Sequence, residues 1–77
     1  MSSKTLNSDL SDAELCRQNG WPIGTFLVGD EGYGPTVIEI TAIGSKHILA
    51  SSVLHKGEPC SGGEVMWTLK NRDWKVV

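Results

Sequence analysis

The stretch Gly29–Pro35 reads G-D-E-G-Y-G-P and contains three glycines, an acid pair and the only tyrosine of the chain. Its spacing superficially resembles a phosphate-binding loop, but such a loop leads into a helix whose N-terminus faces the anion. Here a β-branched run follows, and the carboxylates of Asp30 and Glu31 would repel a phosphate. Two adjacent acids also lack the alternating oxygen ligands of a calcium loop. The stretch therefore predicts a glycine turn or a protein-binding loop.

Both of these interpretations stay open at the level of sequence. A wide turn between strands needs only glycines that adopt positive φ. In the binding interpretation, Tyr33 stands out on a glycine hinge beside two acids, and aromatic residues are enriched at the centres of protein interfaces. The predicted protein-binding surface consists of Asp30, Glu31, Tyr33 and Glu39, with Lys46 and Glu64 at its rim.

Histidine and cysteine are the residue types that would bind a transition metal, and the chain has two of each. Their spacing lacks any paired-ligand motif such as C-x2-C or H-x3-H. Cys60 with His55 is the only conceivable nucleophile and base, and nothing specific in the sequence supports that pair. We expect no metal, no cofactor and no catalytic residue, and reduced thiols at Cys16 and Cys60 in a cytoplasmic protein.

The carboxyl-terminal segment interleaves basic and aromatic residues, a pattern that can neutralise phosphates while bases stack on the rings. A nucleic-acid site would use Lys70, Arg72 and Lys75 with an exposed face of Trp74. Alternatively, Trp67 and Trp74 are core anchors, because a buried aromatic removes about 150–250 Å² from water. The three charges would then be an ordinary solvated face.

The length and charge of the chain limit its function. With 77 residues it forms one domain, whose small core leaves little room for a deep catalytic cleft. Its net charge of −2 shows no bulk signature of nucleic-acid binding. Neither a membrane span of about 20 apolar residues nor the apolar core of a signal peptide is present. These features predict a cytoplasmic, non-enzymatic protein without membrane contact.

The motif L-S-D-A-E-L at residues 10–15 predicts a helix start. Ser11 and Glu14 have the spacing of a capping box, and the flanking leucines that of a hydrophobic staple. Gly20, followed by Pro22, predicts the end of the helix. We expect a short helix over residues 12–18, packed through Leu15, Cys16 and Trp21.

From Gly24 onward the apolar period becomes two, which is typical of strands. Five strands are expected, over residues 25–28, 36–43, 47–54, 65–69 and 74–77, with a breaker-rich loop over residues 56–63. Strict alternation places Ile38, Ile40 and Ala42 on one face of the second strand. In the third strand it places Ile48, Ala50 and Leu54 in the core.

Five short strands joined by tight connections predict a mainly β fold, a small SH3-like five-stranded antiparallel barrel with a short N-terminal α-helix. An open meander with the helix laid across one face is the alternative. Residues 1–10 are expected to be a flexible tail, and residues 11–77 a single domain.

The run from Asn19 to Ala50 and the ending W-T-L-K-N-R-D-W-K-V-V resemble a group of small proteins of unknown function encoded by phages and prophages of enteric and related bacteria. The signature of that group is the loop G-D-E-G-Y-G-P-T and a final W-T-L-x-x-R-x-W. The resemblance covers residues 19–77 and implies a phage setting, but it transfers no activity.

These observations together predict a non-enzymatic protein-interaction module, a phage accessory protein that binds and modulates a host factor. A stable complementary surface of about 800 Å² is enough for such a role. Two alternatives stay open, namely a nucleic-acid-binding small barrel and a self-assembling structural protein.

Overall fold

The computed structural model describes residues 10–30, 32–69 and 72–77, which form one helix and six strands. The mainly β prediction with a short N-terminal helix is confirmed, but six strands replace the expected five, and the described strands do not close into a barrel. The elements are α1 (Asp12–Asn19), β1 (Phe26–Asp30), β2 (Pro35–Ile43), β3 (Ile48–His55), β4 (Glu58–Pro59), β5 (Glu64–Trp67) and β6 (Lys75–Val76).

The strands form one antiparallel sheet in the order β4-β3-β2-β1-β6, and β5 pairs with β3 on the same edge as β4. Between β4 and β5, Cys60 N donates to Val53 O and Gly62 N donates to Ser52 O. Residues 58–67 therefore follow β3 as one interrupted strand, so the sheet is effectively a meander extended by β6.

The additional strand β4 lies inside the stretch expected to be a loop. A tight turn creates it, because Lys56 and Gly57 both have positive φ, 55° and 81°. Two successive residues of this kind make the type I′ turn whose twist matches a β-hairpin. The turn sends the chain straight back along β3, and the prediction of an uninterrupted loop over residues 56–63 is wrong.

A bulge in β2 changes which side chains face the core. The pairing shifts from Ile40 opposite Ala50 to Ala42 opposite Leu49, so Thr41 is an extra residue. An extra residue reverses the alternation beyond it. Ile43 consequently packs against the core, and the prediction that Ala42 shares a face with Ile40 is wrong.

A second bulge does the same in β3. Ser52 lies opposite Ile38, but Leu54 lies opposite Val37, which makes Val53 the extra residue. Directly opposite residues of an antiparallel pair share a face. Leu54 therefore faces away from the core, contrary to the prediction, and His55 takes its place on the core-facing side.

The helix forms as its local signals predict. Ser11 Oγ accepts a hydrogen bond from Glu14 N at 3.2 Å, and the chain leaves the helix through Gly20 at φ 70°. Trp21 N then donates to Cys16 O at 2.8 Å, which satisfies one of the last carbonyls. The Glu14 carboxylate lies 3.6 Å from Arg17 as an ion pair.

Four hydrogen bonds to main-chain atoms dock α1 on the sheet and on the carboxyl-terminal segment. Ala13 N donates to Lys46 O at 3.1 Å, in the turn between β2 and β3. Arg17 donates to the carbonyls of that same turn. Asp12 Oδ1 accepts from Leu69 N at 2.8 Å. The helix is thereby fixed at one end of the core-facing side of the sheet.

The hydrophobic core lies between the sheet on one side and α1 with the carboxyl-terminal segment on the other. Leu10, which was expected in the flexible tail, packs against this core, whereas residues 1–9 lie outside the described residues. The buried members of the core are Ala13, Leu15, Cys16, Leu27, Ile38, Ile40, Ile48, Ala50, Leu69 and Trp74.

Two tryptophans join the opposite edges of the sheet across the core. Trp67 ends β5 at one edge, and Trp74 precedes β6 at the other. Their ring centroids are 5.8 Å apart and the rings are nearly perpendicular, a favourable edge-to-face arrangement. Trp74 also covers Gly29, where a Cβ atom would come within 2.6 Å of the indole ring. The sheet is curled around these rings, as the core-anchor interpretation predicts.

Candidate functional site

The core-facing side of the sheet is open at the end opposite α1. There it forms a pocket of about 330 Å³. We call it the Tyr33 pocket, and it is lined by Tyr33, Thr36, Ser52, His55, Cys60 and Trp67. The pocket therefore continues the core, with small polar residues in place of aliphatic ones.

The bulge at Val53 assembles the floor of the Tyr33 pocket. It places His55 on the same face as Ser52 and directly opposite Thr36. Thr36 Oγ1 lies 3.0 Å from His55 Nδ1 and donates to Gly34 O at 3.2 Å. A threonine hydroxyl has a single hydrogen, and Thr36 donates it to Gly34. In the contact between Thr36 and His55, the Nδ1–H of His55 is therefore the donor. Nε2 is then the remaining hydrogen-bonding atom of the ring.

The rim of the pocket is the glycine loop between β1 and β2. Asp30 Oδ1 accepts from Gly32 N at 2.7 Å and from Gly34 N at 3.1 Å. Both glycines have positive φ, near 105°, which other residues rarely adopt. The loop is thus a turn held by Asp30, and it carries Tyr33, whose side chain is 78% exposed. Both interpretations of the loop are compatible with this geometry.

The predicted protein-binding residues do not form one surface. Asp30 and Tyr33 belong to the rim of the pocket, whereas Glu39 and Glu64 lie on the opposite face of the sheet. Glu39 must face outward, because both of its neighbours in β2 are buried in the core. Lys46 lies in the turn beside α1. Glu31 lies outside the described residues.

The predicted nucleic-acid site lacks the exposed face of Trp74 that it requires. Arg72 and Lys75 are exposed, and Lys70 lies outside the described residues. Trp74 is only 7% exposed and packs on Trp67 and Gly29, so the exposed indole face required by that interpretation is absent. The reason is the curl of the sheet, which turns Trp74 into the core.

The two cysteines lie in opposite environments. Cys60 is an exposed free thiol at the Tyr33 pocket, and Cys16 is a free thiol in the core. The pKa of Cys16 is raised from 9.0 to about 11, mainly by burial and also by the nearby Asp12 carboxylate, while Arg17 opposes the shift. Within residues 10–30, 32–69 and 72–77, no three histidine, cysteine or acidic side chains are grouped as metal ligands.

Sequence reasoning identified Tyr33 and considered His55 with Cys60, but it missed Thr36 and Ser52. These two read as ordinary strand positions, and the bulge at Val53 brings His55 onto the face that they share. One signal was available in the dipeptide Lys56-Gly57, whose turn fixes β4 beside β3. That turn also brings Cys60 to the pocket wall.

The fold is that of a small, mainly β chain with an open antiparallel sheet. Residues 10–77 match the model of a protein family described as a domain of unknown function, DUF7241, and the chain belongs to this family. No curated protein and no solved structure matches the chain. No helix of the described residues has the length and apolar character needed to cross a bilayer.

Proposed function

We propose that this chain is a non-enzymatic protein-interaction module that binds its partner at the Tyr33 pocket. The observation that carries the proposal is the exposed Tyr33 ring beside a preformed pocket. Aromatic side chains provide a large contact area for a small loss of conformational freedom. Because Asp30 already holds the loop, little further ordering is needed on binding.

The size of the pocket favours a partner's side chain over a separate small molecule. Its volume of about 330 Å³ is near the lower limit of about 300 Å³ for ligand sites. Such a pocket accepts one or two apolar side chains, with Thr36, Ser52 and His55 as polar contacts beneath them. Tyr33 would then cover the inserted side chain at the rim.

The class of partner follows from the resemblance to phage-encoded proteins. We propose a host protein in the bacterial cytoplasm, whose activity the bound chain modulates. The SH3-like barrel is retained as a proposal for the fold, supported by the curled meander and by the tryptophan pair that joins its edges.

A variant-controlled affinity isolation tests this function. The tagged chain, its Tyr33→Ala variant and an Ile23→Ala control are incubated with nuclease-treated host lysate, and bound proteins are identified by mass spectrometry. Ile23 is a matched control because it is 62% exposed and lies outside the Tyr33 pocket. We expect a host protein that binds the parent chain and Ile23→Ala but not Tyr33→Ala.

Other outcomes contradict the proposal. A partner that binds Tyr33→Ala unchanged would place the contact elsewhere on the chain. Partners captured only when the nuclease is omitted would favour the nucleic-acid alternative, in which Arg72→Ala and Lys75→Ala weaken binding and added salt weakens it steeply.

A further inference from the structure

The face of the sheet that points away from α1 is the second large surface of the molecule. We call it the outer face. The pairing registers arrange its side chains in three rows that cross the strands, because opposite residues share a face. The rows are Phe26, Glu39, Ser51 and Glu64; Lys75, Val28, Val37, Leu54 and Pro59; and Ala42, Leu49 and Met66.

The outer face is apolar and uncovered by the described elements. Both α1 and residues 68–69 and 72–74 contribute their buried side chains to the opposite side of the sheet. Phe26 is 44% exposed and Met66 60% exposed, with Leu49 between the two on β3. Leu49 and Met66 lie directly opposite each other, and adjacent exposed apolar side chains of this kind mark interaction surfaces in soluble proteins.

Two carboxylates lie within this apolar surface. Glu39 and Glu64 flank Ser51 in one row, two strand spacings or roughly 10 Å apart. Within the described residues, the ion pair that forms is Glu14–Arg17, and neither Glu39 nor Glu64 has a cationic partner. Glu39 is half-buried between Phe26 on β1 and Ser51 on β3, where a cation of a bound segment can reach its carboxylate.

We propose that the outer face binds a basic amphipathic segment of a partner protein. The apolar side of the segment covers Phe26, Leu49 and Met66, and its lysine or arginine side chains reach Glu39 and Glu64. A second copy of this chain fits less well, because packing two outer faces together would enclose four carboxylates, against only two Lys75 ammonium groups, among apolar side chains. This site lies on the opposite side of the sheet from the Tyr33 pocket, and it does not depend on the function proposed there.

A synthetic peptide of leucine and lysine, about 18 residues long and helical with one apolar face, is the probe. Binding is measured by calorimetry, and the contact is mapped by amide chemical shifts. We expect shifts concentrated in β1, β2, β3 and β5. Replacing both acids, Glu39→Gln with Glu64→Gln, should weaken binding about tenfold, since each exposed ion pair contributes up to about 1 kcal/mol.

Three controls separate this site from general charge attraction. A leucine and glutamate peptide with the same apolar face should bind much more weakly than the lysine peptide. Glu58→Gln with Asp73→Asn also removes two exposed carboxylates, but from outside the outer face, and should leave the affinity unchanged. Tyr33→Ala should leave it unchanged as well.

The proposal is overturned if the glutamate peptide binds equally, or if the Glu58 and Asp73 changes weaken binding as much as those of Glu39 and Glu64. It is also overturned if the shifts map to the Tyr33 pocket. Dimerisation of the chain in sedimentation, with the outer-face amides protected and no peptide bound, would assign the face to a second copy instead.

Discussion

The two ends of the core-facing side of the sheet are formed by the same strands, but one end is an enclosed core and the other is an open pocket. At the α1 end, Ile40 and Ile48 meet Leu15 of the helix and are fully enclosed. At the other end, Thr36 and His55 occupy the equivalent inward positions, and the surface stays open as the Tyr33 pocket. The two ends differ in the type of residue that faces inward and in whether α1 covers those residues, since β2 and β3 run through both ends.

With the function proposed above, stability and partner binding are separated along β2 and β3. Aliphatic side chains at the α1 end supply the burial on which a domain of this size depends. At the open end the inward side chains are polar, and Ser52 and His55 stay partly exposed, which leaves them available for contact with a partner. Changes at the two ends should therefore affect different measurements.

The largest loss in the free energy of unfolding should come from a substitution that leaves a cavity at the α1 end. Ile40→Ala leaves a cavity in the core and is expected to lower the free energy of unfolding by about 2–5 kcal/mol. Ser52→Ala at the open end should cost less than about 1 kcal/mol. Denaturant unfolding followed by tryptophan fluorescence checks both. Equal losses at the two ends would contradict the separation.

The pH dependence of stability should distinguish the cysteines of the two ends. The pKa of Cys16 is raised in the folded state from 9.0 to about 11, so the folded chain holds the thiol proton more tightly. The resulting stability is fully present below pH 9 and is lost as the pH rises through about 11, a change of about 2–3 kcal/mol. Urea unfolding between these pH values measures the loss.

The matched controls are Cys16→Ala, which should remove most of this pH dependence, and Cys60→Ala, which should retain it. A thiol reagent applied to the native protein should modify Cys60 and spare Cys16 until unfolding. Equal labelling of both thiols in the native state would show that the α1 end opens.

A substitution that crowds the Trp74 ring should have an intermediate effect on stability. In Gly29→Ala the new methyl group meets the Trp74 indole at 2.6 Å, and the ring must shift. Overpacking of this kind costs about 1–3 kcal/mol. A lower midpoint of thermal unfolding, with a changed tryptophan emission, is the expected result. An unchanged midpoint would indicate that Trp74 moves freely.

The smallest effect on stability should come from the most exposed residue of the open end. Tyr33→Ala is expected to change the free energy of unfolding by no more than about 0.5 kcal/mol, because the side chain is 78% exposed. Chemical unfolding of the variant measures this directly. A loss of several kcal/mol would mean that Tyr33 supports the fold, and its loss of partner binding would then be uninformative.

The sequence predicted the elements of the fold better than it predicted the faces of the strands. The helix was predictable because its signals are local: Ser11, Glu14 and Gly20 act within a few residues of one another. Ala42 and Leu54 were assigned to the wrong face, because each follows a bulge that pairing between strands creates. Strict alternation cannot anticipate an inserted residue.

The candidate site was predictable only at its rim. Tyr33 was identified from the glycine loop, a local signal. Thr36, Ser52 and His55 come together through a pairing register that is set by the whole sheet. The acidic residues were grouped by type alone, and the alternation around Glu39 already placed it on the face opposite the core.

The hydrogen bond between Asp12 and Leu69 affects how the chain folds while it is being synthesised on the ribosome. It joins positions 57 residues apart, and β6, which completes the sheet beside β1, comes later still. The helix is synthesised before the turn at residues 44–46 and long before Leu69, so its docking is completed only after both have followed. We expect the nascent chain to become resistant to protease in one late step, after residue 69 has left the exit tunnel.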